Sequence, residues 1–245
     1  MDNSEAIVFS HVGIQFTKEK KRRFSLGDLL LPFSPVYTEK NRFWALKDID
    51  FKIYKGENVG IIGQNGAGKS TLLKIISRIY APTEGTVQIH GKVVPILELA
   101  GAFEPHYTGR ENIYLQGAIM GYSRQFMNKC MEEIIEFSEL SSFIDSPVIS
   151  YSSGMKSRLG FSIATTVQPD ILVLDEVLST GDRSFREKSF NRIMDMIKEE
   201  TTVLFVSHSE NSLRKICNRG IWLNGGRVMA DGNLEEVINQ YTFAI

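Results

Sequence analysis

Hydrophobic periodicity changes several times along this chain, and each change predicts an element. Residues 6–16 (Ala-Ile-Val-Phe-Ser-His-Val-Gly-Ile-Gln-Phe) carry the β-branched and aromatic residues of a strand. Residues 17–43 break that pattern with a basic cluster followed by Leu29-Leu30-Leu31, Pro32 and Pro35. This stretch is expected to be an insertion holding a short amphipathic helix near 25–31, with strand signals resuming at Ile49–Ile53. Val59-Gly60-Ile61-Ile62 predicts a short buried strand. Lys69–Tyr80 has apolar residues at Leu72, Leu73, Ile75, Ile76 and Ile79, spaced for a buried helix that Pro82 and Gly85 end.

Strands are expected near 86–90 and 92–98, then a helical pattern from Gly109 to about Phe143. Strand and helix alternate again afterwards. Ile171–Leu174 and Val203–Val206 read as strands, with helices over Phe185–Lys198, Asn211–Cys217 and Asn233–Tyr241. Asn224-Gly225 marks a hairpin turn between Ile221-Trp222-Leu223 and Val228-Met229-Ala230. The alternation predicts an α/β fold built on a mainly parallel sheet covered on both faces. The helical block, about 99–162, is expected as an insertion, and residues 1–245 are read as a single domain.

Composition adds little direction: 42% hydrophobic and 23% charged residues are ordinary for a globular chain. The formal net charge of -1 gives no reason to expect a nucleic-acid partner. Positive charge is nonetheless dense at Lys18, Lys20, Lys21, Arg22 and Arg23. No apolar run approaches the roughly 20 residues that span a bilayer, and Met1–Glu5 is acidic and polar, unlike a signal peptide. Cys130 and Cys217 lie far apart without metal-ligand spacing and read as reduced packing residues. The expected location is the cytosol, with membrane contact through a partner or a surface element.

Chemistry concentrates in a few segments. Gly63-Gln64-Asn65-Gly66-Ala67-Gly68-Lys69-Ser70 is a phosphate loop between a strand and a helix. Its glycines let backbone N–H groups converge on phosphate oxygens, and the helix after it presents its positive end. Lys69 is expected to reach the β- and γ-phosphates, Ser70 to ligate Mg2+, and Thr71 to add a hydroxyl near the α-phosphate. Ile171-Leu172-Val173-Leu174-Asp175-Glu176 ends a buried strand in two carboxylates. Asp175 suits the metal, and Glu176 suits the polarisation of an attacking water. His208 follows another strand, on the side where parallel sheets bind ligands, and suits a γ-phosphate contact. Ser152, Ser153 and Gly154 lead into a helix expected from Met155 toward Thr166, whose N-terminal amides favour an anion.

Taken in order and spacing, these motifs resemble the nucleotide-binding subunit of an ABC transporter. The Walker A loop is 63–70, Walker B with its glutamate 171–176, and the switch histidine 208. Ser179-Thr180-Gly181-Asp182 resembles a D-loop, with Ser179 and Asp182 at its ends, and Tyr151-Ser152-Ser153-Gly154-Met155 stands where the family has its signature. The resemblance implies a P-loop NTPase (RecA-like) core with an antiparallel β-subdomain and an inserted α-helical subdomain. It implies ATP and Mg2+ as ligands. It also implies a homodimer meeting head to tail, in which the signature of one copy completes the ATP site of the other.

The usual family signature reads Leu-Ser-Gly-Gly-Gln, so this chain departs from it. The variant is similar to exporters of lipid-linked polysaccharides such as O-antigen, capsular polysaccharide and teichoic acid. Asp175-Glu176-Val177-Leu178, Phe43-Trp44-Ala45-Leu46-Lys47-Asp48, Thr108-Gly109-Arg110-Glu111-Asn112 and the 17–43 insertion share that likeness. The resemblance therefore implies an ATPase motor on the cytoplasmic side of the bacterial inner membrane, joined to a membrane-spanning permease dimer. Alternatives are a transporter subunit for another cargo or a soluble ABC ATPase. Glu98 stands near the family's metal-sensing glutamine. Phe16 is the first candidate to stack on adenine and Trp44 the second.

Overall fold

The computed structural model describes residues 4–17, 42–96, 103–175, 183–197, 201–207 and 209–244. Its centre is a six-stranded sheet whose inner strands are made from short apolar runs of the chain. Strands β3 (Asn58–Ile62), β5 (Val93–Ile96), β6 (Ile171–Leu174), β7 (Thr202–Val206), β8 (Arg219–Asn224) and β9 (Arg227–Asn233) lie in the order β5-β6-β7-β3-β8-β9. All pairings are parallel except the β8–β9 hairpin. Every residue of β6 and β7 is buried, as a parallel strand covered on both faces requires.

A second sheet is antiparallel, with β2 (Arg42–Tyr54) and β4 (Glu84–Ile89) flanking β1 (Glu5–Thr17). One apolar cluster fills the space between the two sheets and around α1 (Lys69–Ile76), from Ile7, Phe9 and Ile49 to Val59, Leu72, Val173 and Ile221. A second covers the opposite face of the parallel sheet with α5 (Arg183–Met196), α6 (Glu210–Ile216) and α7 (Leu234–Phe243). A third belongs to α2 (Gly109–Ile119), α3 (Arg124–Ser138) and one face of α4 (Ser153–Ala164). Helix α4 bridges these layers: Leu159 and Ile163 join the third cluster, Phe161 and Ala164 the second.

Several expectations change at their edges. Strand β2 begins at Arg42, not near Ile49, because Phe16 and Phe43 pair directly and extend the ladder to Thr17 and Arg42. The expected insertion is therefore shorter at both ends, and its predicted helix near 25–31 lies outside the described residues. Helix α1 stops at Ile76, short of Tyr80, where Arg78 takes a left-handed φ of 58° and Ile79 turns outward, 57% exposed. The helical pattern expected from Gly109 to about Phe143 is two helices. Gly121, at φ 80°, closes α2, and Ser123 caps the N-terminus of α3 by accepting the Phe126 N–H. Helix α4 starts at Ser153, two residues before the expected Met155. No helix among the described residues is long and apolar enough to cross a membrane.

Candidate functional site

The parallel register brings three strand ends to one edge of the sheet. Val206 of β7 pairs with Ile61 of β3, and Phe205 pairs with Leu174 of β6. Gly63, Asp175 and Ser207 thus leave neighbouring strands on the same side, where open parallel sheets bind ligands. The opposite end is pinned by an ion network. Arg219 bonds Asp231 through two 2.8 Å contacts and Glu57 at 2.7 Å, which ties β8 and β9 to the turn before β3. The Arg219 pKa is raised chiefly by its hydrogen bonds to Asp231.

The loop at the open end is set by backbone contacts. Ala67 donates its N–H to the Gln64 carbonyl, and Leu72 bonds back to Gly68 as α1 begins. Gly226, in the β8–β9 turn, holds two segments at once. Its N–H bonds the Ala67 carbonyl at 3.0 Å, and its carbonyl accepts the Lys47 N–H at 2.8 Å. A Cβ on Gly63 would lie 2.3 Å from the Leu223 carbonyl oxygen, whereas one on Gly66 would meet nothing within 4 Å. Gly63 therefore sits against the hairpin, and Gly66 faces open space.

Lys69 is 8% exposed. Its ammonium donates to the carbonyls of Gly63 at 2.6 Å and Gln64 at 3.0 Å, so its charge is fixed at the loop's mouth. Ser70 is exposed on the first turn of α1, Thr71 beside it is half-buried, and no acidic residue lies in that turn. The donor set fits a polyphosphate: a lysine, a helix N-terminus without a compensating carboxylate, and an open glycine. Ser70 and Asp175 offer the hard oxygen ligands that Mg2+ takes.

Phe16 lies in an aromatic group with Phe43, 6.0 Å away, and Tyr80, whose ring meets it edge-on at 5.4 Å. Trp44 packs over Gly13, where a Cβ would come within 2.8 Å of its ring. The two adenine candidates thus occupy different surroundings, and Phe16 is the one tied to the segment after α1.

Tyr151 is buried, and its hydroxyl donates to the Phe143 carbonyl at 2.6 Å. Burial pushes its pKa up. Ser152 caps α4 by accepting the Met155 N–H at 3.2 Å. Ser152 and Ser153 are exposed, Gly154 and Met155 half-buried, and the first turn of α4 holds no acidic residue. The cap is therefore real, and the helix end remains open to an anion. Glu98, Glu176, Ser179, Asp182 and His208 lie outside the described residues.

The roles of two residues were missed in the sequence. Gly226 was readable as part of a turn, but its hold on the phosphate loop was not. Asn112 is fully buried and organises the turn before α2. It accepts the Glu104 N–H at 2.8 Å and donates to the carbonyls of Glu104, Tyr107 and Thr108. His11, given no role from sequence, forms exposed ion pairs with Asp48 at 2.9 Å and Asp50 at 3.1 Å.

Comparison with known proteins agrees with this geometry. The ABC transporter family model matches residues 46–179. The chain is 44% identical over 241 residues to the O-antigen export system ATP-binding protein RfbB of Klebsiella pneumoniae, covering 98% of each. It is 39% identical over 241 residues to the teichoic acids export ATP-binding protein TagH of Listeria innocua serovar 6a, covering 98% of this chain and 71% of that one. An ATP-binding subunit of an ABC transporter superposes with TM-score 0.74 at 20% identity, over 97% of this chain and 93% of that one. A dimeric ATP-binding cassette bound to ADP and Pi gives 0.70 at 24%, over 93% and 98%. The chain belongs to the ABC transporter family, and it groups there with ATP-binding proteins named for O-antigen and teichoic acid export.

Proposed function

We propose that this chain is the ATP-hydrolysing subunit of an exporter that moves a lipid-linked, O-antigen-like polysaccharide across the cytoplasmic membrane. The observation that carries the reading is the Lys69 cradle at the end of β3, in a chain whose near-full-length relatives are named for such export. Residues 63–71 bind the ATP phosphates, and Lys69 trades its loop carbonyls for the β- and γ-oxygens. Phe16 stacks on adenine. Ser70 and Asp175, with Glu98 as a further ligand, would hold Mg2+, which when bound would supply neutralisation of phosphate charge. Glu176 takes the proton of the attacking water and His208 contacts the γ-phosphate.

The second half of each site comes from a second copy. The exposed, capped N-terminus of α4, with Ser152 to Met155, supplies amides to the ATP of its partner; the D-loop role of Ser179 and Asp182 rests on the family resemblance alone. Similar cassettes described as dimeric support this arrangement. Binding of two ATP closes the pair and hydrolysis reopens it, a cycle of differential binding between two states. The helical layer passes the movement to a membrane permease on the cytoplasmic side. Residues 99–162 are read as a subdomain of one ATP-binding domain spanning 1–245.

The test is purification of the chain from native membranes and identification of its membrane partner. A glycan-export permease is the expected result. A permease for another class of cargo would overturn the export reading, and Glu176→Gln with wild-type turnover would overturn the role given to that carboxylate.

A further inference from the structure

Three helices meet where the helical layer joins the parallel-sheet layer, and each contributes one phenylalanine. Phe137 lies in the last turn of α3, Phe161 in α4 and Phe185 in α5. The rings of Phe137 and Phe161 stack at 6.0 Å and 23°, and both meet Phe185 edge-on at 5.9 and 6.0 Å. Cations cap this triangle. Lys188 lies 4.6 Å and Arg192 5.0 Å from the Phe137 ring centroid, and Arg158 lies 4.8 Å from that of Phe185.

Ion pairs tie the same residues together. The Glu139 carboxylate, at the left-handed end of α3, accepts from Arg158 of α4 at 2.5 Å and from Lys188 of α5 at 3.2 Å. Lys188 also donates to the Phe137 carbonyl at 3.0 Å, and Arg192 pairs with Glu133 of α3. The Arg158 side chain is only 18% exposed. Partial burial pulls the Glu139 pKa upward, but the Lys188 and Arg158 bonds outweigh it and hold the carboxyl below its usual range.

We propose that Arg158, with Phe137 and Glu139, is a positioning residue that sets the direction of α4, and so the aim of its Ser152–Met155 end, against α5. Arg158 lies five residues inside α4 and touches both neighbouring helices, so it transmits any tilt of α3 to α4. It has no place among the groups that hold the chain's own ATP. This deepens the dimer reading above and rests on it.

The experiment compares full-length wild type with Arg158→Ala, Phe137→Leu and Arg158→Lys. Fluorescent ATP analogue binding is measured at concentrations where the chain is monomeric. Dimerisation with Mg2+ and a non-hydrolysable ATP analogue is measured by sedimentation. Arg158→Ala and Phe137→Leu should bind nucleotide within about twofold of wild type, while the dimer dissociation constant rises roughly tenfold, between the scales of an exposed and a desolvated cation–π contact. Arg158→Lys, which keeps the pair with Glu139, should recover part of the loss. Wild-type dimerisation in both variants would overturn the proposal, as would equal loss of nucleotide binding and dimerisation. A wild-type chain that binds nucleotide yet stays monomeric would sink the dimer reading itself and this positioning role with it.

Discussion

Two glycines of the phosphate loop should respond very differently to one added methyl group. At Gly66, φ is 81° and a Cβ meets nothing within 4 Å, so Gly66→Ala carries only the strain of a left-handed alanine. That strain is about 1–2 kcal/mol, and the stiffer unfolded chain returns about 0.4–1 kcal/mol. The net loss is therefore about 1 kcal/mol, or a Tm drop of about 2–4 °C at this chain length. At Gly63 the same Cβ lands 2.3 Å from the Leu223 carbonyl oxygen, a backbone atom that no rotamer change can move. Overpacking adds about 1–3 kcal/mol, for a total near 3 kcal/mol and a Tm drop of roughly 6–12 °C. Thermal unfolding followed by circular dichroism reads both variants, with ATP-analogue binding measured alongside. If Gly66→Ala lost as much stability as Gly63→Ala, the described seat of the loop against the β8–β9 hairpin would be wrong.

Other outcomes follow from the same contacts. Tyr151→Phe removes the hydroxyl, but the Phe143 carbonyl keeps the Ser146 N–H and the Gly109 N–H keeps the Ser146 carbonyl, so the loss should be only about 1 kcal/mol by chemical denaturation. Asn112→Ala strands the part-buried Glu104 amide and should cost about 1–3 kcal/mol in the same assay. His11 should titrate above 6.5 by NMR, chiefly through its hydrogen bond to Asp48, and fall back in Asp48→Asn. Because the His11 pKa is raised and that of Asp48 lowered, their pairing stabilises the fold only between the two folded values. It fades as pH rises through the His11 value or falls through the Asp48 value. Burial pushes the Cys217 thiol up to about 12, so alkylation near pH 8 should spare it until the chain unfolds.

Much of this molecule was legible because local and global signals agree. Four apolar residues before Asp175 and before the phosphate loop could only be buried strands once helices alternated with them. Phosphate-loop chemistry is local in sequence, so 63–70 announced itself. What stayed hidden depends on contacts between distant segments. Phe43 looked like part of an insertion because its partner, Phe16, lies across the residues that separate them. Ile79 fitted a helical period, yet the left-handed Arg78 ended the helix before it, and nothing in Arg78 itself signals that turn. The hold of Gly226 on Ala67 and the cation-capped phenylalanine triangle join elements far apart in the chain, which periodicity cannot report.

One titration tests whether the ATP site is built on Lys69 and shared by two copies. Specific ATPase activity is measured against protein concentration for wild type and Lys69→Ala. The shared site predicts specific activity that rises with concentration toward a plateau, and none above background in Lys69→Ala. Specific activity independent of concentration, or hydrolysis that survives Lys69→Ala, would contradict it.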